Sequence, residues 1–288
     1  MARPHAMADD NVVDAPAASG RAGRNLFAAI GVGLFLGVGL VLIPALFAPA
    51  VFSIIVSIAM VISVFELRGA AAQRGINLVA VPAAIGAAAM PQAAYWLGAV
   101  PMLAVFAVTV LVILGYRLVA GVDGYLVDVS VSIFALAYTG LLASFVSLML
   151  TSSHGAQRVV TVIVLTVASD IGGYAAGVLA GRHPMAPNIS PKKSWEGFAG
   201  SIILQSVVGI GLFVWWWHAP WWQGLITGIV MTITATAGDF IESAIKRDLG
   251  VKDMSHLLPG HGGLLDRLDS VLPNAFTGWL LLRTYLGP

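Results

Sequence analysis

Ten charged side chains crowd one window of the chain, residues 238–269, GDFIESAIKRDLGVKDMSHLLPGHGGLLDRLD. They are Asp239, Glu242, Lys246, Arg247, Asp248, Lys252, Asp253, Asp266, Arg267 and Asp269. The whole chain has only 15 Lys and Arg and 14 Asp and Glu. Apolar runs flank the window, and charge beside a bilayer is costly, so the cluster reads as the seat of chemistry. At about 100° per residue, Asp239, Glu242, Ser243 and Lys246 share one narrow helix face. Such a stripe on a membrane helix points to a bundle interior or a water-filled cavity. An i,i+4 ion pair explains Glu242 and Lys246 structurally and leaves Asp239 without a partner. Asp266 and Asp269 stand i,i+3 at the expected start of the last helix, on one face. Two carboxylates that close repel unless a cation separates them or one is protonated. Helix N-terminal placement accounts for one acid. Two, with Asp239 nearby, favour Mg²⁺, which keeps waters and is shared between a few carboxylates and substrate phosphates. The expected metal ligands are therefore Asp239, Asp266 and Asp269, with room for a second cation, divalent or K⁺.

The turn Pro259-Gly260-His261-Gly262-Gly263 precedes that helix. Flexible consecutive residues let backbone N–H groups converge on an anion. His261 lacks a second histidine at metal-binding spacing, so a phosphate donor is the better reading than a zinc ligand. Lys192 and Lys193 enter from a second polar segment, 190–197. Basic residues at a membrane surface can simply bind anionic headgroups. Bases interleaved with three candidate metal ligands are instead the equipment of phosphoryl or nucleotidyl transfer, where positioning and charge neutralisation lower the barrier.

The elements that must position these residues are membrane helices. The chain is 58% hydrophobic and 10% charged, its mean hydropathy is +0.90, and several runs exceed the roughly 18 apolar residues of a membrane span. The fold class expected is an all-α, polytopic helical bundle of about nine spans. They lie near Leu26–Ile43, Ala48–Phe65, Leu78–Met90, Tyr95–Leu114, Val127–Leu150, Val159–Leu179, Phe198–Trp217, Leu225–Ile245 and Leu268–Leu286. Residues 1–24 read as a disordered cytoplasmic tail rather than a cleaved signal. Residues 25–288 read as one catalytic membrane domain, with N-terminal spans (25–150) and a site-bearing part (151–288). Placing the N-terminus inside puts 13 of the 15 Lys and Arg in cytoplasmic segments and leaves Arg158 and Arg283 outside. The charged window then faces the cytoplasm, at the inner face of the cell membrane. Tryptophans at span ends read as an interfacial belt, with Trp195 kept open as a base-stacking residue. Gly173, Gly177 and Gly181 form a ridge for close helix approach. Asp170 on the same span needs a cationic partner, from a metal or the basic segment after the helix. With no cysteine, thiol nucleophiles, disulfides and Cys-ligated metals are excluded.

Ser243, Lys246-Arg247, Lys252-Asp253, Ser255, Leu258-Pro259, His261-Gly262-Gly263, Asp266-Arg267 and Asp269 together resemble, without departure, the signature of the CDP-diacylglycerol synthases (phosphatidate cytidylyltransferases). Ser190-Pro191-Lys192-Lys193-Ser194-Trp195-Glu196-Gly197 is similar to that family's second motif, with Ser where Thr is commoner. Asp170 with Tyr174 resembles a third, with Gly173 in place of Ala. The match runs from about Ser169 to the C-terminus; the first five spans match only in being apolar. The resemblance implies CTP + phosphatidate → CDP-diacylglycerol + pyrophosphate, dependent on Mg²⁺. It implies catalytic roles for Asp239, Asp266, Asp269, Lys246 and Arg247. Substrate contacts would come from Asp170, Lys192, Lys193, Ser194, Ser243, Lys252, His261, Gly262, Gly263 and Arg267. The partners implied are CTP, phosphatidate and membrane phospholipids, with a homodimer as an open option and no nucleic acid. A phosphate oxygen of phosphatidate is already anionic near neutral pH, which fits the lack of any Ser–His or Cys–His pairing. The CDP-alcohol phosphotransferase pattern, Asp-Gly-x₂-Ala-Arg…Gly-x₃-Asp-x₃-Asp, is absent. A transporter with a cation site between Asp170 and Asp239 is the non-enzymatic alternative, although transporter sites sit near the midplane.

Overall fold

The computed structural model describes residues 39, 41–257 and 262–288. The expected tail, nearly all of the first expected span, and His261 lie outside the described residues. The described chain runs α1 (Ile43–Phe47), α2 (Pro49–Ala72), α3 (Ala80–Leu97) and α4 (Ala99–Leu118). It continues through α5 (Tyr125–Leu150) and α6 (Gly155–Ala180). A hairpin of β1 (Pro184–Ala186) and β2 (Ser190–Ser194) precedes α7 (Trp195–Trp216), α8 (Trp221–Leu249) and α9 (Val271–Leu286). Among the described residues six helices, α2 and α4 to α8, are long and apolar enough to cross a membrane. The expected third and ninth spans are helices as well, but alanine-rich α3 has 18 residues and α9 only 16.

Two local expectations are corrected. The all-α class meets one antiparallel hairpin, pairing Pro184 with Ser194 and Ala186 with Ser190. The expected fourth span starts later than Tyr95, because Gly98 adopts φ +92° and breaks the helix there.

Close packing of α6, α7 and α8 follows from glycine. A methyl group on Gly200 would stand 2.3 Å from the Ala176 Cβ and 2.6 Å from the Gly172 carbonyl oxygen. A methyl on Gly173 would meet Ser201 Oγ at 2.6 Å, Gly177 faces Gly197 at ordinary contact distance, and Ser201 Oγ donates to the Ser169 carbonyl at 2.7 Å. The expected ridge therefore packs α6 on α7. A second seam, Gly209 against Gly224, joins α7 to α8. Buried polar pairs add to these contacts: Thr234 donates to Asn274 (2.6 Å), which donates to Thr166 (2.9 Å), linking α8, α9 and α6. Ser57 Oγ donates to the Ala88 carbonyl at 2.9 Å, tying α2 to α3 near Pro91, which lies inside α3.

Candidate active site

The C-terminal turns of α8 carry the expected polar stripe, but packing splits it into two edges. On one edge Lys246 Nζ binds Glu242 at 2.6 Å, i to i+4, as a structural pair. It also binds Asp266 at 2.9 Å, under the surface. On the other edge Ser243 Oγ donates to Asp239 at 3.4 Å, and Asp239 pairs with Lys193 from β2. Asp239 is thus not left without a partner, because the hairpin folds back over α8. Lys193 also lies over the Phe240 ring, 4.9 Å from its centroid, and Arg247 Nε donates to the Ile189 carbonyl at 3.4 Å, holding the hairpin tip.

A cavity of about 340 Å³ opens between α6, the hairpin, α7 and α8. Asp170, Lys192, Lys193, Ser194, Asp239 and Ser270 are among its walls. Asp170 therefore meets the basic segment that follows its helix, within electrostatic reach of Lys193 and Asp239. Ser194 is the N-cap of α7, accepting from the Gly197 amide at 3.1 Å, which satisfies one orphan donor of that helix. Trp195 is exposed beside it and meets Phe198 edge to face at 6.1 Å.

Asp266 and Asp269 do not share a helix face. Residues Leu265–Arg267 form a 3₁₀ turn and α9 begins only at Val271. An earlier start would place Pro273 in the helix interior, where it cannot donate to the Asp269 carbonyl. The two acids consequently point apart. Asp266 Oδ1 takes Lys246, while Oδ2 accepts the amides of Met254 (2.9 Å) and Gly263 (2.7 Å). Burial alone raises the Asp266 carboxyl, but contact with Glu242, Lys246 and those two amides outweighs it and holds the group below the usual carboxylate range. Asp269 accepts the Ser270 amide at 2.7 Å. Burial first, then the negative charge of Asp239, raises its carboxyl to about 6, against the Ser270 amide and Lys193. Gly238 sets that proximity: a methyl there would meet the Asp269 carbonyl oxygen at 2.3 Å, so only glycine lets α8 lie against this turn.

Among the described residues no three acidic or histidine side chains come together as a metal cage. The expected three-carboxylate set is therefore not assembled, since Asp266 faces Lys246 and backbone amides. Asp239 and Asp269 remain on one side, each within the other's field. That pair fits Mg²⁺, which is commonly held by one or two carboxylates together with waters and substrate phosphates. The glycine turn also differs from expectation. The amide of Gly263 is spent on Asp266, while Gly262 takes φ +77° with Asp266 Oδ2 close by. Lys192 lines the cavity, and it, Arg247, Lys252 and Arg267 are all exposed.

Two residues of the N-terminal half escaped sequence reasoning. Glu66 of α2 is buried and accepts hydrogen bonds from the signature loop; an isolated acid within a long apolar helix was the available signal. Tyr138 lies in the π-helical stretch Leu136–Leu141 of α5, with its hydroxyl buried and unpartnered among the described residues. It is within electrostatic reach of Asp269, Glu242 and Asp239. Single π turns inside helices recur at functional sites, but nothing in the local sequence announced this one.

Known proteins resemble this chain along most of its length. The model of the cytidylyltransferase family matches residues 24–285. A phosphatidate cytidylyltransferase of Mycobacterium leprae (strain TN) is 42% identical over 282 residues, covering 91% of this chain and 89% of that relative. One from Mycobacterium tuberculosis (strain ATCC 25618 / H37Rv) is 41% identical over 280 residues, covering 91% and 84%. One from Staphylococcus haemolyticus (strain JCSC1435) is 33% identical over 204 residues, covering 68% and 77%. With this likeness along most of its length, the chain belongs to the cytidylyltransferase family.

Proposed function

We infer that this protein is a phosphatidate cytidylyltransferase, joining CTP and phosphatidate into CDP-diacylglycerol with release of pyrophosphate. The observation that carries the reading is the convergence of Asp170, Lys193 and Asp239 from three separate elements on one cavity among membrane helices, in a chain so similar to phosphatidate cytidylyltransferases. A phosphate oxygen of phosphatidate attacks the α-phosphorus of CTP; the new P–O bond forms as the bond to pyrophosphate breaks. The attacking oxygen is already ionised near neutral pH, so the barrier is largely that of bringing two polyanions together.

This chain's residues meet that barrier as follows. Lys193, with Lys192 beside it, neutralises phosphate charge at the cavity wall. Exposed Arg247, Lys252 and Arg267 add positive potential, which concentrates an anionic nucleotide. Asp239 and Asp269 would hold Mg²⁺. Bound there, the ion would neutralise phosphate oxygens and stabilise the leaving group. Lys246 and Asp266 hold α8 and the signature loop in register. Ser243 orients Asp239, and Asp170 fixes the electrostatics of the opposite wall.

About nine spans remain the proposed count, with the N-terminus and the cavity on the cytoplasmic side of the cell membrane. Helices α3 and α9 would cross within the bundle. The described helices are proposed to act as a single catalytic domain. Purified protein in mixed micelles, given cytidine-labelled CTP, phosphatidate and Mg²⁺, is expected to place the label in lipid with one pyrophosphate released per label. Label left wholly in the aqueous phase would refute the reading.

A further inference from the structure

We propose that Glu66 is a positioning residue for the reaction, clamping the base of the signature loop from the N-terminal half of the chain. The inference rests on the cytidylyltransferase reading above. Glu66 is 7% exposed, and its carboxylate binds residues on both sides of segment 258–261. Oε1 accepts from Ser255 Oγ at 2.6 Å and from the Leu264 amide at 2.8 Å. Oε2 accepts from the Leu265 amide at 2.8 Å. These partners lie 189 to 199 residues away in sequence, so the contacts cannot be local capping.

The neighbouring glycine is an independent observation. A methyl on Gly263 would stand 2.9 Å from Glu66 Oε1 and 3.0 Å from Asp266 Oδ2. Two carboxylates, one from each half of the chain, thus close on the space where a Gly263 side chain would stand. Three consecutive amides, those of Gly263, Leu264 and Leu265, are directed at them. The anion that this turn gathers is the protein's own carboxylate. Apolar packing backs the clamp, since Val64 and Leu67 of α2 share one core with Leu249, Met254 and Leu265. Glu66 is not among the residues that line the cavity. It acts through the loop, fixing where the chain emerges at Asp266 and Asp269 against Asp239.

Gln at this position keeps one oxygen acceptor but turns an N–H₂ group toward the Leu265 amide, whereas Ala removes both oxygens. Glu66→Gln and Glu66→Ala are compared with the unaltered protein in mixed micelles, by steady-state kinetics and by amide hydrogen exchange. The expected result is a graded fall in kcat, about tenfold for Gln and more for Ala, with KM for phosphatidate within twofold. Amide exchange at Leu264 and Leu265 is expected to quicken at least tenfold, while exchange in α7 is unchanged. If Glu66→Ala does not fold, Glu66→Gln decides alone. An unchanged kcat or unchanged exchange at Leu264 and Leu265 in Glu66→Gln would overturn the proposal. Absence of cytidylyl transfer by the unaltered protein would instead refute the functional reading, and the exchange measurement would still test the clamp.

Discussion

Asp239 shares Lys193 across a partly exposed cavity wall, whereas Asp266 shares Lys246 beneath the surface with two backbone amides. The same carboxylate therefore has two different predicted sensitivities. Asp239→Asn keeps its shape and loses charge at a polar wall, so the protein should fold normally and kcat should fall about a hundredfold or more. Asp266→Ala takes one of the two carboxylates from Lys246 and leaves the Met254 and Gly263 amides without an acceptor, and each buried polar group so stranded costs about 1–3 kcal/mol. Thermal unfolding in detergent should show a marked loss for Asp266→Ala and almost none for Asp239→Asn. Asp269 adds a pH dependence. Its folded value of about 6 lies above the ordinary carboxylate value, so the native state binds that proton more tightly. The stabilisation gained by protonation is complete well below the unfolded value and is lost as pH rises through about 6. Loading Mg²⁺ requires the ionised form. Apparent Mg²⁺ affinity of the wild-type protein should therefore weaken steadily as pH falls from 7 to 5, and titration calorimetry can measure it.

At the scale of elements, the cavity depends on how nearly α6, α7 and α8 approach. Gly200→Leu would drive a side chain into the Gly172 backbone and Ala176. Such overpacking typically costs about 1–3 kcal/mol, and here it also separates Asp170 from the hairpin lysines. We expect at least tenfold lower activity and a lowered melting temperature, while Ile203→Leu on the exposed face of α7 should change neither. Helix identity was legible because apolar runs of membrane length leave little alternative, and the Gly173 ridge announced a packing seam. The hairpin was not legible. Pro184–Ser194 has no alternating pattern, and its strands form because the segment must return to α8, where Lys193 finds Asp239. Nor was the late start of α9, since helical spacing for Asp266 and Asp269 took precedence over the veto that Pro273 imposes.

For the whole molecule, the candidate site was readable from one half of the sequence and its support came from the other. Signature residues are recognisable by type and spacing, whereas Glu66 shows only as an isolated acid in an apolar helix and Tyr138 gives no signal at all. Their relevance is a matter of long-range contact, which one sequence does not display. Orientation, by contrast, rests on charge counts alone and has a direct test. The chain lacks cysteine, so single cysteines at Gln73 and Thr151 can be labelled against a silent background. A membrane-impermeant maleimide applied to intact cells should label Thr151→Cys and leave Gln73→Cys unlabelled until the cells are opened.

The chain of hydrogen bonds through Asn274 bears on how the protein is made. Asn274 is fully buried and its partners, Thr234 and Thr166, belong to helices that precede it in the chain. Helix α9 is short, and alone in hydrocarbon it would carry an amide with nothing to bind. Its stable residence in the bilayer therefore waits on a receptive surface already built by α6 and α8. A ribosome that releases the chain before those two have docked would leave the last helix at the interface, and quality-control proteases would meet it there first.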